Sequence, residues 1–545
     1  MKETHDVAVV GSGFAGSLLA LLARRLGRSV VLLERGSHPR FAIGESSSPL
    51  ANLLLEELAR RHDLPRLLPL SAWGSWQRIH PEVAAGLKRG FTFYAHERGQ
   101  PFAGDPGRRD QLLVAASPND EVADTHWYRP DVDAFLVCEA EAAGVEYRDR
   151  TELRVAARDA EGLTLEATRA GTAERIRPRL VVDASGPGGF LHRALELPAA
   201  AFADLPATRG LFAHFENVRR LDALGIGASD EPPPYPVDDA AVHHVFDGGW
   251  IWVLRFNNGL TSAGVAATPE LAREIGLEDG APAWARLLER LPTVGAQFAG
   301  ARATTPFYRR PLPFRTTAAA GPGWAMLPSA AAFVDPLLST GFPLALLGIE
   351  RLAGALGEDW RGPSFEARLR DHGARTLFEA DTAALLVAAL FAAFSDFETF
   401  AALTKLYFAA ASYAEAARRL GRPALAGSFL AGDHPTFGPN LRACCRLAVA
   451  RDPTRRAELF DAVARAIEPL DVIGLSDASR RNWYPVRAED LVAARGKLGA
   501  TREEIERVLA AMGGAPSGPR GRVPFHPAPE VERDPQERVE GHRAV

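Results

Sequence analysis

A glycine-rich turn near the N-terminus constrains the fold of this chain more than any other feature. The turn stands between an apolar run, Val7 to Val10, and a helix-forming stretch, Ser17 to Leu26; a second apolar run follows, from Ser29 to Glu34. A strand, a helix and a second strand in close succession are typical of a βαβ unit with parallel strands. The sequence therefore predicts an α/β (α+β overall) fold built on a Rossmann-type core.

The turn has the GxGxxG spacing of a dinucleotide-binding site. Its first glycine permits the tight turn, its second lets the backbone approach a pyrophosphate, and its third lets the helix pack on the strand. Glu34 ends the second strand, where a carboxylate accepts hydrogen bonds from ribose hydroxyls. The predicted site comprises Gly11, Gly13, Phe14, Ala15, Gly16, Glu34 and Arg35.

Bulk properties exclude several classes of partner. The net charge of the 545-residue chain is −5, so no basic field would attract nucleic acid. No run of 18 uncharged apolar residues occurs, and the first six residues are too polar for a signal peptide. Adjacent histidines such as His243 and His244 point to opposite faces of a strand, so we predict no metal site.

The three cysteines have no metal-binding or disulfide spacing, and we expect buried free thiols in a cytoplasmic protein. The pattern of strands and helices predicts four parts of the chain. These are a discontinuous cofactor domain (1–200 and 300–355), a β-rich substrate lobe (201–299), a helical C-terminal domain (356–512) and a disordered tail (513–545).

Three further segments resemble motifs of the flavin-dependent halogenases and of the related flavin monooxygenases and prenyl reductases. The segment from Arg40 resembles a Gly-Glu-Ser loop near the flavin, the segment from Val181 a strand and turn under the adenine, and the segment from Phe333 an Asp-Pro-x-x-Ser-Thr-Gly loop beside the isoalloxazine ring. The resemblance implies FAD as the cofactor and adds to the site Gly44, Glu45, Ser46, Asp183, Gly186, Asp335, Pro336, Ser339, Thr340 and Gly341.

A fourth segment resembles the halogenases in particular. Trp250 and Trp252 match the Trp-x-Trp motif of the family, although Leu254 and Arg255 replace its Ile-Pro. The resemblance makes Lys88 the lysine that receives hypohalous acid formed at the flavin. By their sequence alone, Lys88 could equally be a solvated lysine beside a strand, and the tryptophans could be core residues or substrate walls.

Two departures from the family pattern bear on the mechanism. Pro328-Ser329 replaces a Gly-Asp whose carboxylate holds the ribityl chain, so we expect weak FAD binding and a separate flavin reductase as partner. Leu338 replaces a glutamate of the tryptophan halogenases.

We therefore predict an FAD-dependent oxidoreductase that uses reduced FAD, O₂ and a halide to modify an aromatic or electron-rich small molecule. The alternatives are a flavin monooxygenase or alkene reductase acting on a hydrophobic substrate, and a non-catalytic flavin-fold binding protein.

Overall fold

The computed structural model describes residues 5–160, 162–227, 231–358, 360 and 362–512. The predicted disordered tail, 513–545, lies outside the described residues. The helices are α1 Phe14–Arg25, α2 Pro49–Arg61, α3 Trp73–Ile79, α4 Arg129–Ala142, α5 Phe190–Ala194, α6 Pro269–Glu274, α7 Ala281–Arg290, α8 Pro292–Gln297, α9 Pro328–Ala331, α10 Gly341–Glu358, α11 Phe365–Ala392, α12 Phe397–Arg419, α13 Pro423–Ala426, α14 Phe437–Val449, α15 Arg456–Ile467, α16 Ala488–Ala493 and α17 Arg502–Ala511.

The strands are β1 Val7–Val10, β2 Val30–Leu33, β3 Ala85–Lys88, β4 Gly90–His96, β5 Gln111–Ala115, β6 Asp124–Trp127, β7 Glu146–Arg148, β8 Thr151–Asp159, β9 Gly162–Arg169, β10 Thr172–Ile176, β11 Leu180–Asp183, β12 Arg209–Glu216, β13 Ala241–Phe246, β14 Gly249–Arg255, β15 Thr261–Ala267, β16 Arg302–Ala303, β17 Tyr308–Pro311, β18 Phe314–Arg315, β19 Ala320–Gly321, β20 Trp324–Met326, β21 Ala332–Phe333 and β22 Trp483–Tyr484.

The predicted βαβ unit lies at the centre of a mostly parallel sheet with the order β19-β20-β11-β1-β2-β7. Strand β1 pairs in parallel with both β2 and β11, and all four residues of β1 and of β2 are buried. Helix α1 crosses between β1 and β2, and its residues from Phe14 to Ala23 are all buried. This arrangement is the Rossmann-type core that the sequence predicts, with the glycine turn at the carboxyl end of β1.

A second, larger sheet has the order β16-β12-β15-β14-β13-β4-β5-β22, with β17 also paired to β12. Four of its nine strands, β12 to β15, come from the predicted substrate lobe. Strands β4 and β5 precede that lobe in the chain, β16 and β17 follow it directly, and β22 follows it by almost two hundred residues. Strand β4 joins the sheet by pairing in parallel with β13, so that Phe93 lies opposite His243. The aromatic face of this sheet packs against α12 through Phe91, Phe93, Phe400 and Phe408.

The three cysteines are free, but only Cys444 and Cys445 are buried. Cys138 is exposed, so the expectation of a buried thiol is wrong at this position. Cys138 lies on α4. The two residues before it, Leu136 and Val137, are on the buried side of this helix, and Cys138 is on its exposed side. None of the helices in the described ranges is long and apolar enough to cross a membrane.

Candidate active site

The three glycines of the turn differ in what a side chain at each position would contact. Gly11 has φ 99°, and a Cβ there would lie 2.7 Å from the carbonyl oxygen of Ala184. A Cβ on Gly16 would overlap the carbonyl oxygen of Gly11. At Gly13 a Cβ would meet nothing closer than the guanidinium end of Arg129, at 3.3 Å. The next nearest atoms belong to the side chains of Asp133 (3.7 Å) and Arg40 (3.8 Å), so Gly13 is bordered by side chains and not by backbone. A pyrophosphate would lie at this turn, in front of α1.

An arginine and an aspartate that sequence analysis did not identify close this turn from the other side. Asp133 on α4 accepts a hydrogen bond from the backbone N–H of Phe14 (3.0 Å) and pairs with Arg129 (2.8 Å), and both side chains are buried. Arg129 also donates to the carbonyl oxygens of Ile43 and Gly44. Arg129 thus joins the glycine turn to the Gly-Glu-Ser loop, and only the tertiary fold reveals this role.

Glu34 is almost fully buried at the end of β2. Its carboxylate accepts hydrogen bonds from the N–H groups of Ser12 and Gly36 and lies 3.3 Å from Arg40. Burial opposes ionisation, but these hydrogen bonds and Arg40 outweigh it, and the pKa of Glu34 is lowered. The Nε of Arg40 is buried without a partner among the described residues, so polar groups remain for a nucleotide. Arg35, by contrast, is exposed, and Ala15 is buried within α1.

Asp183 and Gly186 lie at the carboxyl end of β11, next to the glycine turn. The Asp183 carboxylate accepts hydrogen bonds from Ser185 and from the backbone N–H of Leu191, so it shapes its own turn. Gly186 has φ 86°, which favours glycine.

The Gly-Glu-Ser loop is held by a buried pair. Glu45 lies 2.7 Å from His214 on β12, and both side chains are at most 2% exposed. The ring of His214 lies among Phe41, Tyr128 and Phe256. Because the pair is buried, it fixes the direction in which the next residue, Ser46, presents its hydroxyl.

The Asp-Pro-x-x-Ser-Thr-Gly segment forms a strained turn before α10. Leu338 and Ser339 have φ values of 65° and 54°, in the left-handed region that costs energy for residues other than glycine. Asp335 is buried and accepts hydrogen bonds from Trp250 Nε1 (3.1 Å) and from the N–H of Leu337 (3.0 Å). Burial raises the pKa of Asp335 to about 7. Pro336 precedes this turn, Thr340 is buried, and Gly341 begins α10.

Lys88 brings two of these motifs together. It is fully buried at the end of β3, which excludes the solvated lysine considered above. Its Nζ donates to Ser46 Oγ (2.9 Å), to the carbonyl oxygen of Ser47 and to Ser339 Oγ (3.4 Å). Burial lowers the pKa of Lys88 to about 7, against a raising effect from Asp124. An amine with this pKa is largely neutral slightly above neutral pH and can act as a nucleophile or a hydrogen-bonding group.

Aromatic rings pack beside Lys88. The amine lies 3.8 Å from the ring centre of Phe91. Along the same face, Phe93 stacks on His243, and His243 contacts Trp250, which contacts Trp252. Trp250 is therefore both a wall residue and the hydrogen-bond partner of Asp335. Trp252 extends the wall toward Phe212.

The described residues contain no group of three or more His, Cys, Asp or Glu side chains that could hold a metal ion. The chemistry of the donor set instead fits a dinucleotide: the side chains of Arg40 and Arg129 beside Gly13, a buried acid at Glu34, and hydroxyls and an amine at the far loops.

Several known proteins with similar sequences or structures are halogenases. A model of the tryptophan halogenase family matches residues 125–391, and one of the NAD(P)-binding Rossmann-like domain matches residues 9–53. The monodechloroaminopyrrolnitrin halogenase PrnC of Pseudomonas fluorescens is 29% identical over 411 residues, covering 74% of this chain and 70% of that protein. The tetracycline 7-halogenase of Kitasatospora aureofaciens is 28% identical over 375 residues, covering 65% of this chain and 64% of that protein.

The solved structure of a mutant of halogenase PltM in complex with FAD superimposes with a TM-score of 0.78 and 25% identity, covering 88% of this chain and 99% of that one.

Proposed function

We propose that this chain is a flavin-dependent halogenase and that Lys88 directs the halogenation of an electron-rich aromatic small molecule; the tryptophan halogenase family model and two halogenases that match the sequence support this. FAD is the cofactor, and reduced FAD, when bound, supplies the electrons with which O₂ turns a halide into an electrophilic halogen. The names of two relatives, an aminopyrrolnitrin-type and a tetracycline halogenase, support an aromatic substrate.

One observation carries the proposal: a single buried amine is hydrogen-bonded to both motifs that resemble flavin contacts. Lys88 Nζ reaches Ser46 and Ser339, and these two hydroxyls lie 3.0 Å apart. On its other side the amine faces Phe91, at the edge of the aromatic wall. Lys88 is therefore placed to receive an electrophile from the cofactor side and hold it against a substrate ring.

The remaining residues bind and orient. Gly13, Glu34 and Arg129 surround the space for the pyrophosphate and ribose, and Glu45 with His214 orients Ser46. The wall residues Phe91, Phe93 and Trp250 are almost fully buried, so they exclude water from the space beside the amine. Exclusion of water protects a reactive halogen from side reactions.

The experiment that tests the proposal replaces Lys88 by methionine, which keeps the length and loses the amine. We expect Lys88→Met to bind FAD and to consume O₂ with reduced FAD at the wild-type rate while forming less than about one hundredth of the halogenated product. Products made with bromide are measured by mass spectrometry.

Lys405→Met is the matched control, because Lys405 is also partly buried with a lowered pKa but lies on α12 over Tyr484. This control should retain product formation. If Lys88→Met halogenates as fast as the wild type, the proposed role of Lys88 fails; an oxygenated or reduced product from the wild type would instead support the monooxygenase or reductase alternative.

Reduced flavin from a separate reductase is part of the same proposal. Ser329, on α9, offers no carboxylate for the ribityl chain, which favours exchange of FAD with solution. We place both proteins in the cytoplasm, which is consistent with three cysteines that form no disulfide.

A further inference from the structure

The strand that carries Lys88 brings it opposite a buried acid. In the antiparallel pair of β3 and β6, Lys88 lies directly across from Asp124. Side chains at such positions have Cβ atoms about 5 Å apart, within reach of the four-carbon lysine side chain. Asp124 is 4% exposed and Lys88 is 0% exposed, so the two groups interact with little screening by water.

The contacts of Asp124 distinguish its two oxygens. Oδ1 accepts a hydrogen bond from the side-chain amide of Asn52 (3.2 Å). Asn52 in turn accepts a hydrogen bond from the Ser47 hydroxyl (2.5 Å), and the carbonyl oxygen of Ser47 accepts one from Lys88. Oδ2 is buried and has no hydrogen-bond partner within the described part of the chain. An unpartnered buried carboxylate oxygen costs more free energy as part of an anion than as part of a neutral carboxyl group.

The electrostatics agree with this geometry. Burial raises the pKa of Asp124 to about 8, against a lowering effect from Lys88. The other charged groups that act on Asp124 are Glu415, which raises its pKa, and Arg419, which lowers it, both from α12. His126 on β6 and His243 on β13 also face Lys88, and burial lowers the pKa of each, so both are neutral near pH 7.

We propose that Asp124 is the positioning residue of Lys88: the charge of its carboxylate stabilises the Lys88 ammonium, and protonation of Asp124 favours the neutral amine held by Ser46 and Ser339. The two side chains make no hydrogen bond with each other, so they are coupled through their charges across the strand pair and no covalent step is needed. The inference rests on the proposed function of Lys88 for its catalytic meaning, but the proton coupling itself can be measured without turnover.

The chain allows a direct test because it contains four lysines, at positions 2, 88, 405 and 497. Lysine labelled with ¹³C at Cε gives four signals, and the one that is lost in Lys88→Met belongs to Lys88. We expect the wild-type Lys88 signal to titrate in two steps, because the amine senses the ionisation of Asp124 as well as its own. A single step in the wild type would overturn the proposal even if no Asp124 variant folds.

Asp124→Asn keeps the shape of the side chain and cannot be ionised. Because the charge of Asp124 raises the pKa of Lys88, this variant should titrate in one step, shifted down by about one pH unit. Asp110→Asn is the control, since Asp110 also has a raised pKa and an unpartnered buried oxygen but interacts with neither Lys88 nor Asp124. An unchanged Lys88 titration in Asp124→Asn would contradict the proposal.

Activity separates this inference from the proposed function. In Asp124→Asn the acidic limb of the pH profile of product formation should move down by about one pH unit, together with the Lys88 titration. A loss of rate with an unmoved limb would show a purely structural role and overturn the inference while Lys88 catalysis stands. A coupled titration in a protein that forms no halogenated product would support the inference and overturn the proposed function.

Discussion

At the scale of single residues, the glycines of the first turn are constrained by different neighbours. Gly11 and Gly16 are required by the backbone itself, because a Cβ at either would meet main-chain oxygen. At Gly13 the three nearest atoms to a Cβ would be side-chain atoms of Arg129, Asp133 and Arg40, at 3.3 to 3.8 Å, and not backbone atoms. The prediction that glycine is needed here for the ligand can therefore be tested apart from folding.

Gly13→Ala should consequently fold normally and lose affinity for FAD. We expect the dissociation constant for FAD to increase at least tenfold, which is a loss of about 1.4 kcal/mol of binding free energy. Titration of flavin fluorescence measures this change. Gly11→Ala and Gly16→Ala are the comparisons, and both should lower the melting temperature of the FAD-free protein. Wild-type FAD affinity in Gly13→Ala would place the pyrophosphate elsewhere.

Asp335 couples stability to pH. Its pKa is raised from 3.8 to about 7 by burial, so between these values the folded protein holds a proton that the unfolded chain releases. The contribution of Asp335 to stability is therefore full below about pH 4 and is lost as the pH rises through about 7.

Asp335→Asn removes this titration and should gain stability relative to the wild type as the pH increases from 5 to 8, by on the order of 3 kcal/mol. Urea unfolding of the FAD-free proteins at both pH values measures the difference. A constant difference across the range would mean that Asp335 is ionised in the folded protein.

Residue types and spacing predicted the glycine turn and Glu34, and the family resemblance predicted Lys88 and the other motif residues, but neither predicted their partners. Asp124, Arg129 and His214 meet the site only because distant strands and helices bring them there, and no local pattern marks them. The sequence did not distinguish a solvated Lys88 from a buried one, and the structure shows that the side chain is buried.

At the scale of elements, the turn from Pro336 to α10 holds Ser339 at φ 54°, where glycine would be unstrained. The strain orients the Ser339 hydroxyl toward Ser46 and Lys88. Strained conformations of this kind persist where the surrounding packing fixes them, and they are frequent at functional sites.

Ser339→Gly and Ser339→Ala both lose the hydroxyl, and only glycine relieves the backbone. We expect the glycine variant to be more stable than the alanine variant by about 1 kcal/mol, the reverse of the usual order of these two residues. Thermal unfolding of the two variants gives the comparison. Greater stability of the alanine variant would show that the turn is unstrained at this residue.

Local patterns predicted most elements of the cofactor core but not how the large sheet is assembled. Strand β1 has the predicted bounds, whereas α1 begins at Phe14, three residues before the predicted Ser17, directly after the second glycine of the turn. The parallel pairing of β4 with β13 joins residues about 150 positions apart, and such pairing depends on tertiary packing that no short pattern encodes.

At the scale of the whole molecule, the cofactor core and the aromatic wall are joined through a few loops. Ser46 and Ser339 come from the core, Lys88 from the short β3–β6 sheet, and Phe400 and Phe408 from α12 of the predicted helical domain. The division of the chain into the four predicted domains remains a prediction, since the large sheet also contains strands from outside 201–299.

The absence of a carboxylate at position 329 predicts that the flavin is reduced by a separate protein and then binds to this one. At the end of β20, where the resemblance implies an acid for the ribityl chain, α9 presents Pro328 and Ser329, and the backbone there is occupied by hydrogen bonds from Ala330 and Ala331 to Leu327. With one binding group fewer, FAD should dissociate readily, and the purified protein should be largely colourless after gel filtration. Product should form when an unrelated NADH-dependent flavin reductase or chemically reduced FAD is added, and not with NADH or NADPH alone.

Ser329→Asp restores a carboxylate and should retain more flavin through the same column, whereas Ser329→Asn, which has the same size without the charge, should not. Stoichiometric FAD in the wild-type protein, or oxidation of NADPH without added reductase, would show that the protein reduces its own flavin.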